Sequence, residues 1–147
     1  MAVTRTASTT WSGTLGSGEG RVSLDTSGQG AFDVTWKART EEADQKTSPE
    51  ELIAAAHSSC FSMALSHGLG EAGFTPETIQ TSADVTLEPG KGITESVLSV
   101  TASVPGIEEE QFRSIADEAK NGCPVSQALS GVSITLRATL ESSEPAS

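Results

Sequence analysis

Ser48-Pro49-Glu50-Glu51-Leu52-Ile53-Ala54-Ala55-Ala56-His57-Ser58-Ser59-Cys60-Phe61-Ser62-Met63-Ala64-Leu65 carries its own helix start. Ser48 can cap the first turn. Pro49 suits the first helical position, where a missing N–H has no intrahelical partner to lose, and Glu51 stands where a capping box needs its acid. Over residues 52–65 the side chains are apolar or small nearly all round, which predicts a buried helix, not one laid on a surface. Gly68, Gly70 and Gly73 mark its end. In its middle sits Cys60, one of only two cysteines in the chain.

Before this helix the chain reads as strands. Residues 9–15, 21–25 and 31–36 are β-rich runs separated by the glycine clusters at 16–20 and 27–30, the pattern of an antiparallel meander. Residues 39–46 are polar and loop-like. After the helix, residues 79–87 alternate, Glu88-Pro89-Gly90-Lys91-Gly92 turns, and residues 97–104 return as a second strand. Residues 107–120 are helical, with acids on the first turn and Phe112, Ile115, Ala116 and Ala119 apolar, and Asn121-Gly122 ends them. A short helix follows over 124–129 with Cys123 at its start. Val132, Ile134, Leu136, Ala138 and Leu140 alternate as a half-buried strand, and residues 142–147 read as a frayed tail. The order βββ-α-ββ-αα-β predicts an α+β fold, and with no repeat or linker in sight, 1–147 is expected to be a single domain.

Composition narrows the function. The net charge is −11, and the nine basic residues are scattered. Phosphate binding needs a clustered basic face, so nucleic acid is not an expected partner, nor is an anionic membrane surface. No apolar run approaches a membrane span and the first residues lack a signal-peptide core, so a cytoplasmic location is expected. In a reducing compartment two cysteines are reactive or simply buried more often than bridged. Two cysteines and two histidines at these spacings make no zinc cluster, and no Gly-x-Gly-x-x-Gly run opens a helix, so neither a metal nor a nucleotide cofactor is expected.

Cys60 in an apolar helix is either packing or a nucleophile. As a nucleophile it needs a nearby cation, because desolvation raises a thiol pKa. Its own helix N-terminus is about 16 Å away, too far for the helix dipole to serve. Arg39 and Arg21 are the candidates. Glu50 is ten residues from Cys60, about 15 Å along the axis and about 80° around it, so the two cannot touch within one straight helix. If they share a site, Glu50 comes from a second subunit. Cys123, ahead of Pro124, reads either as a helix-entry residue or as a resolving thiol that condenses with a cysteine sulfenic acid. His57 precedes Cys60 by three residues on the same helix face. It is either a packed or hydrogen-bonded histidine or the base of a Cys-His pair.

The run from Thr47 to Leu65 closely resembles the osmotically inducible OsmC branch of the OsmC/Ohr peroxidases. So do Gly70-Glu71-Ala72-Gly73-Phe74-Thr75-Pro76, Val104-Pro105-Gly106-Ile107, Gly122-Cys123-Pro124-Val125-Ser126-Gln127-Ala128-Leu129 and the early Trp11-Ser12-Gly13. The resemblance spans nearly the whole chain. It implies an OsmC-like fold: an intertwined homodimer whose long central helices pack against antiparallel sheets. It implies thiol-dependent reduction of organic hydroperoxides to alcohols in oxidative or osmotic stress defence. Cys60 falls on the peroxidatic position, Cys123 on the resolving one, and Glu50 on the acidic partner. Arg39 matches the family's arginine, with Arg21 as the fallback. A Cys60–Cys123 disulfide and a dithiol reductant, such as a lipoyl protein, follow from the same resemblance. Two rival readings remain at this level: a non-catalytic dimer that binds a hydrophobic or stress ligand, and a Cys-His hydrolase using His57.

Overall fold

Ser48 caps the long helix as its sequence predicts, its Oγ accepting from the Glu51 N–H at 3.1 Å. The reciprocal half of the capping box is absent, because the Glu51 carboxylate instead accepts from the Thr47 hydroxyl. In this computed structural model, which describes residues 1–141, the helix runs Pro49–Glu71, past Gly68 and Gly70. It stops where Gly73 takes φ +92, a left-handed turn that lets the Phe74 N–H reach back to the Leu69 carbonyl. The frayed tail expected at 142–147 lies outside the described residues.

The chain divides into two compact units, Met1–Leu52 and Ile53–Ser147, and the long helix starts in the first and continues in the second. The first holds strands β1 (Ser8–Ser12), β2 (Glu19–Ser23) and β3 (Ala31–Val34), paired antiparallel in the order β1-β2-β3. This is the expected meander, with shorter strands. Gly20 faces Trp11 on one side and Val34 on the other, and a Cβ there would come within 2.8 Å of the indole and 2.9 Å of the valine methyl. Glycine thus lets the Trp11 ring lie across the sheet. A five-residue helix α1 (Trp36–Thr40) occupies ground expected to be strand and loop. Thr35 caps it, its Oγ1 accepting from the Ala38 N–H at 3.0 Å. Val22 and Val34 are the buried apolar side chains of this unit, while Leu15, Trp11, Phe32 and Trp36 stay exposed.

The second unit carries most of the long helix, α2, together with β4 (Thr78–Glu88), β5 (Gly92–Ser103), α3 (Glu109–Gly122), α4 (Pro124–Ala128) and β6 (Ser133–Leu140). β4 and β5 form an antiparallel hairpin. β6 pairs with the other edge of β5 in parallel, so this sheet is mixed where antiparallel sheets were expected. The cause is the long connection through α3 and α4, which carries the chain back to the same end of the sheet before β6 begins.

Period-2 and helical patterns meet in the core of this unit. Leu98, Val100 and Ala102 alternate on the buried face of β5; Phe61, Leu65 and Leu69 line one face of α2; Phe112, Ala116 and Ala119 come from α3. Within this one chain, α2 is buried on a single face. His57, Phe61, Leu65 and Leu69, four residues apart, are fully buried, but Ala55, Ala56, Ser59, Met63, Ser66 and Gly70 are exposed. An all-round apolar helix needs more partners than one chain of this size supplies.

Candidate active site

The fold brings the two cysteines together. Cys60 lies on α2, half-buried, and Cys123 is fully buried where α3 hands over to α4. Asn121-Gly122 ends α3, Cys123 adopts an extended conformation (φ −61, ψ 124), and Pro124 opens α4, where it loses no intrahelical bond. Both thiols are free, and Cys60 packs against the buried core cluster that includes Cys123, near enough for each thiol to shift the other's titration. Burial pushes the Cys60 thiol up, and the neighbouring Cys123 thiol adds to this, while the Val125 backbone works the other way. Burial also pushes Cys123 up. Here, however, the Cys60 thiol, the Ser126 backbone and hydroxyl, and the Val125 backbone outweigh it, and the net direction is down.

His57 does not pair with Cys60. It is fully buried, with Nδ1 2.7 Å from Ser96 Oγ on β5 and Nε2 2.8 Å from Ser126 Oγ on α4. Both ring nitrogens are thereby engaged, which removes the geometric basis for a Cys-His hydrolase. Burial pushes the imidazole pKa down, so the neutral ring is the resting form. Sequence reading missed Ser96 and Ser126. Ser96 carried a signal: it shares the parity of Leu98, Val100 and Ala102, so a polar side chain stood on the core face of a strand that extends further back than its alternation suggested.

The first unit holds a second constellation. The Arg39 Nε donates to both carboxylate oxygens of Glu50, at 3.1 and 3.0 Å, and Nη2 lies 3.0 Å from Oε2. Planar guanidinium against planar carboxylate is the strong form of the ion pair, and Glu50 is buried. The Arg39 guanidinium also sits 5.9 Å from the Trp36 ring centroid, within cation–π range. The pair is set up locally: α1 presents Arg39, and the first turn of α2 presents Glu50. Arg21, the fallback, is half-exposed on β2 and bonds Asp33 on β3 at 2.8 Å. Beside Arg39 opens a cavity of about 330 Å³ lined by Thr9, Trp11, Leu15, Val22, Val34, Thr35, Trp36, Pro49 and Leu52, nearly all apolar. Among the described residues, no three His, Cys, Asp or Glu side chains gather as a metal site, and no helix is long and apolar enough to cross a membrane.

A family model described as OsmC-like protein matches residues 40–137. The chain is 43% identical over 145 residues to the peroxiredoxin OsmC of Escherichia coli, covering 97% of this chain and all of that one. Among solved structures, an OsmC-like protein of unknown function from Vibrio cholerae superposes with a TM-score of 0.74 at 17% identity, covering 93% of this chain and 99% of the other. An organic hydroperoxide resistance protein from Elizabethkingia anophelis, with thiocyanate bound, gives 0.67 at 26% identity, covering 95% and 98%. A family match over two-thirds of the chain, a near full-length relative and an α+β fold shared with both structures agree: this chain belongs to the OsmC family.

Proposed function

We propose that this chain is a cysteine-based peroxidase that reduces organic hydroperoxides to alcohols, as part of defence against oxidative or osmotic stress. The observation that carries the reading is that the fold brings the two free thiols together, Cys123 in the buried core and Cys60 packed against it, in a chain with no other cysteine. The Cys60 thiolate attacks the distal peroxide oxygen. The O–O bond breaks, the alkoxide leaves and is protonated to the alcohol, and Cys60 becomes a sulfenic acid. Cys123 then displaces hydroxide from the Cys60 sulfur, giving a disulfide and water. An external dithiol, such as a lipoyl protein, reopens the bridge by exchange.

Burial opposes the first step, because it pushes the Cys60 thiol up. A cation is required, and Arg39 is the one proposed. The bidentate bond to Glu50 fixes its direction, and the apolar cavity beside it suits an alkyl group better than hydrogen peroxide. On α2, Glu50 and Cys60 are about 15 Å apart by helix geometry. The pair that acts on Cys60 is therefore proposed to come from a second copy. A homodimer is supported by the exposed α2 stripe around Met63 and by Trp11, Leu15, Phe32 and Trp36 of the first unit. In that reading both units belong to one domain, completed by the partner. A cytoplasmic location, where thiols are kept reduced between turnovers, is part of this proposal.

The test is peroxide consumption with a dithiol by wild type, Cys60→Ser and Cys123→Ser. The proposal requires no turnover from Cys60→Ser, and from Cys123→Ser one turnover followed by overoxidation. Steady turnover by Cys60→Ser removes it, and binding of an acyl ligand with no peroxide turnover by wild type favours a ligand-binding dimer.

A further inference from the structure

His57 and its two serines play no part in the scheme above. His57 Nδ1 lies 2.7 Å from Ser96 Oγ and Nε2 lies 2.8 Å from Ser126 Oγ, and all three side chains are buried. Three elements, β5, α2 and α4, thus meet at one imidazole. Among the described residues no buried side-chain polar atom lacks a partner, so the bridge gives the core direction without orphaning a group.

Helix α4 needs such a fix. It spans five residues, Pro124–Ala128, too few to be stable alone. Cys123, just before it, is extended and makes no side-chain cap bond. Val125 packs against the core, but apolar packing is non-directional and sets no register. Among the described residues, the only side-chain hydrogen bond made by α4 is that of Ser126 with His57. Both bridging residues stand three positions from a cysteine, in opposite senses. His57 precedes Cys60 by three on α2, which is about 4.5 Å of rise on one helix face. Ser126 follows Cys123 by three, within a turn closed by the Gln127 N–H on the Cys123 carbonyl at 3.0 Å. The His57–Ser126 bond is therefore one rung between α2 and α4. The two cysteines stand where the next rung falls, and Cys60 packs against the core cluster that holds Cys123.

We propose that His57 and Ser126 are positioning residues for disulfide closure: their hydrogen bond latches α4 to α2 and holds Cys123 in register with Cys60, while Ser96 fixes the angle of the ring. This inference rests on the peroxidase reading. In the step it serves, the Cys123 sulfur bonds the sulfur of the Cys60 sulfenic acid and the S–O bond breaks. The hydroxide leaves with the Cys123 thiol proton as water. His57 and Ser126 exchange no proton in this step. What the latch sets is the effective concentration of one thiol at the other, which enters both the rate of closure and the stability of the disulfide.

The experiment reads the disulfide at equilibrium, without peroxide. Wild type, Ser126→Ala and Ser126→Thr are equilibrated in graded mixtures of dihydrolipoamide and lipoamide, quenched by alkylation and weighed intact. The dithiol gives two hydrogens to the protein disulfide and closes its own ring, so the mixture reports a reduction potential. The latch requires Ser126→Ala to weaken the disulfide about tenfold or more, a rise in potential of about 30 mV or more. Ser126→Thr, which keeps the hydroxyl, should stay within about threefold of wild type. A merely structural serine would lower the melting temperature of the reduced and oxidised forms alike and leave the potential unmoved. A second arm adds one equivalent of an alkyl hydroperoxide and traps sulfenic acid with a dione. There, sulfenic acid should form within about twofold of the wild-type rate in both variants, while closure slows about tenfold or more in Ser126→Ala. Should Ser126→Ala fail to fold because His57 is left without its partner, a variant combining His57→Leu, Ser96→Ala and Ser126→Ala, which buries no orphaned group, takes its place. A potential unmoved in the variant that folds overturns the latch, whatever its closure rate. A wild type that closes its disulfide in the redox mixture but consumes no peroxide overturns the peroxidase reading and leaves the potentials to judge the latch. A wild type that forms no disulfide in either arm overturns both.

Discussion

Replacing Arg39 by alanine removes the cation that the proposed mechanism needs at Cys60. Within its own unit, burial and the neighbouring Cys123 thiol act against ionisation of Cys60, and the Val125 backbone favours it. The thiol therefore starts above the ordinary value of about 8.5, at which only ~3% is ionised at pH 7. A guanidinium within ~4–6 Å lowers an acid's pKa by about 1–3 units when desolvated. The Arg39 side chain keeps 32% of its surface exposed, so solvent screening puts the effect toward the lower end. The thiolate fraction near neutral pH should then fall about tenfold in Arg39→Ala. Lysine at this position should rescue only in part, because an ammonium keeps the charge but not the bidentate fork to Glu50. Glu50→Ala should act in the same direction with a smaller size, since it frees the guanidinium without removing its charge. The assay is iodoacetamide alkylation of Cys60 against pH in a Cys123→Ser background, beside the rate of peroxide consumption. An alkylation curve unmoved in Arg39→Ala but displaced upward in Arg21→Ala would refute the assignment, and Arg21 would take its place.

Phe61→Ala should cost about 3–5 kcal/mol, because a fully buried aromatic leaves a cavity among Leu98, Phe112 and their neighbours; urea unfolding followed by circular dichroism reads this. Met63→Asp should turn a dimer into a monomer in light scattering at micromolar concentration, since Met63 is 72% exposed at the centre of the α2 stripe, and a dimer that survives the charge lies elsewhere. His57 titrates lower folded than unfolded, so the unfolded chain binds the extra proton. Its contribution to stability is complete above about pH 6.5 and is lost as pH falls below it toward the folded pKa. The melting temperature should drop from pH 6.5 to 5 in wild type and less steeply in His57→Gln.

The helix start at Ser48 was legible because capping is a local interaction, closed by the Ser48 hydroxyl on the Glu51 N–H three residues on. Glu51 shows where such reading stops. Thr47 competes for the same carboxylate, and only the path of the chain before the helix decides between them. Strand positions followed from alternation, but alternation fixes faces and says nothing of neighbours. Hence β6, read correctly as a half-buried strand, gave no hint of running parallel to β5. Helix α1 is barely longer than one turn and too short to show a period. In the site, the two cysteines stood out by scarcity, and the Arg39–Glu50 pair was reachable through family resemblance and is now given a geometry. The pairing of His57 was out of reach because its partners lie on β5 and α4, far away in sequence, although Ser96 was marked as polar on a core face.

The central claim is that Cys60 and Cys123 act as one redox unit. Reduced protein treated with one equivalent of an alkyl hydroperoxide and measured by intact mass tests it most directly. Disulfide closure removes two hydrogens, so the account predicts a loss of about 2 Da, reversed by a dithiol and absent from both Cys60→Ser and Cys123→Ser. An unchanged mass with the peroxide left unconsumed, or a stable gain of one oxygen, about 16 Da, in wild type, would contradict it.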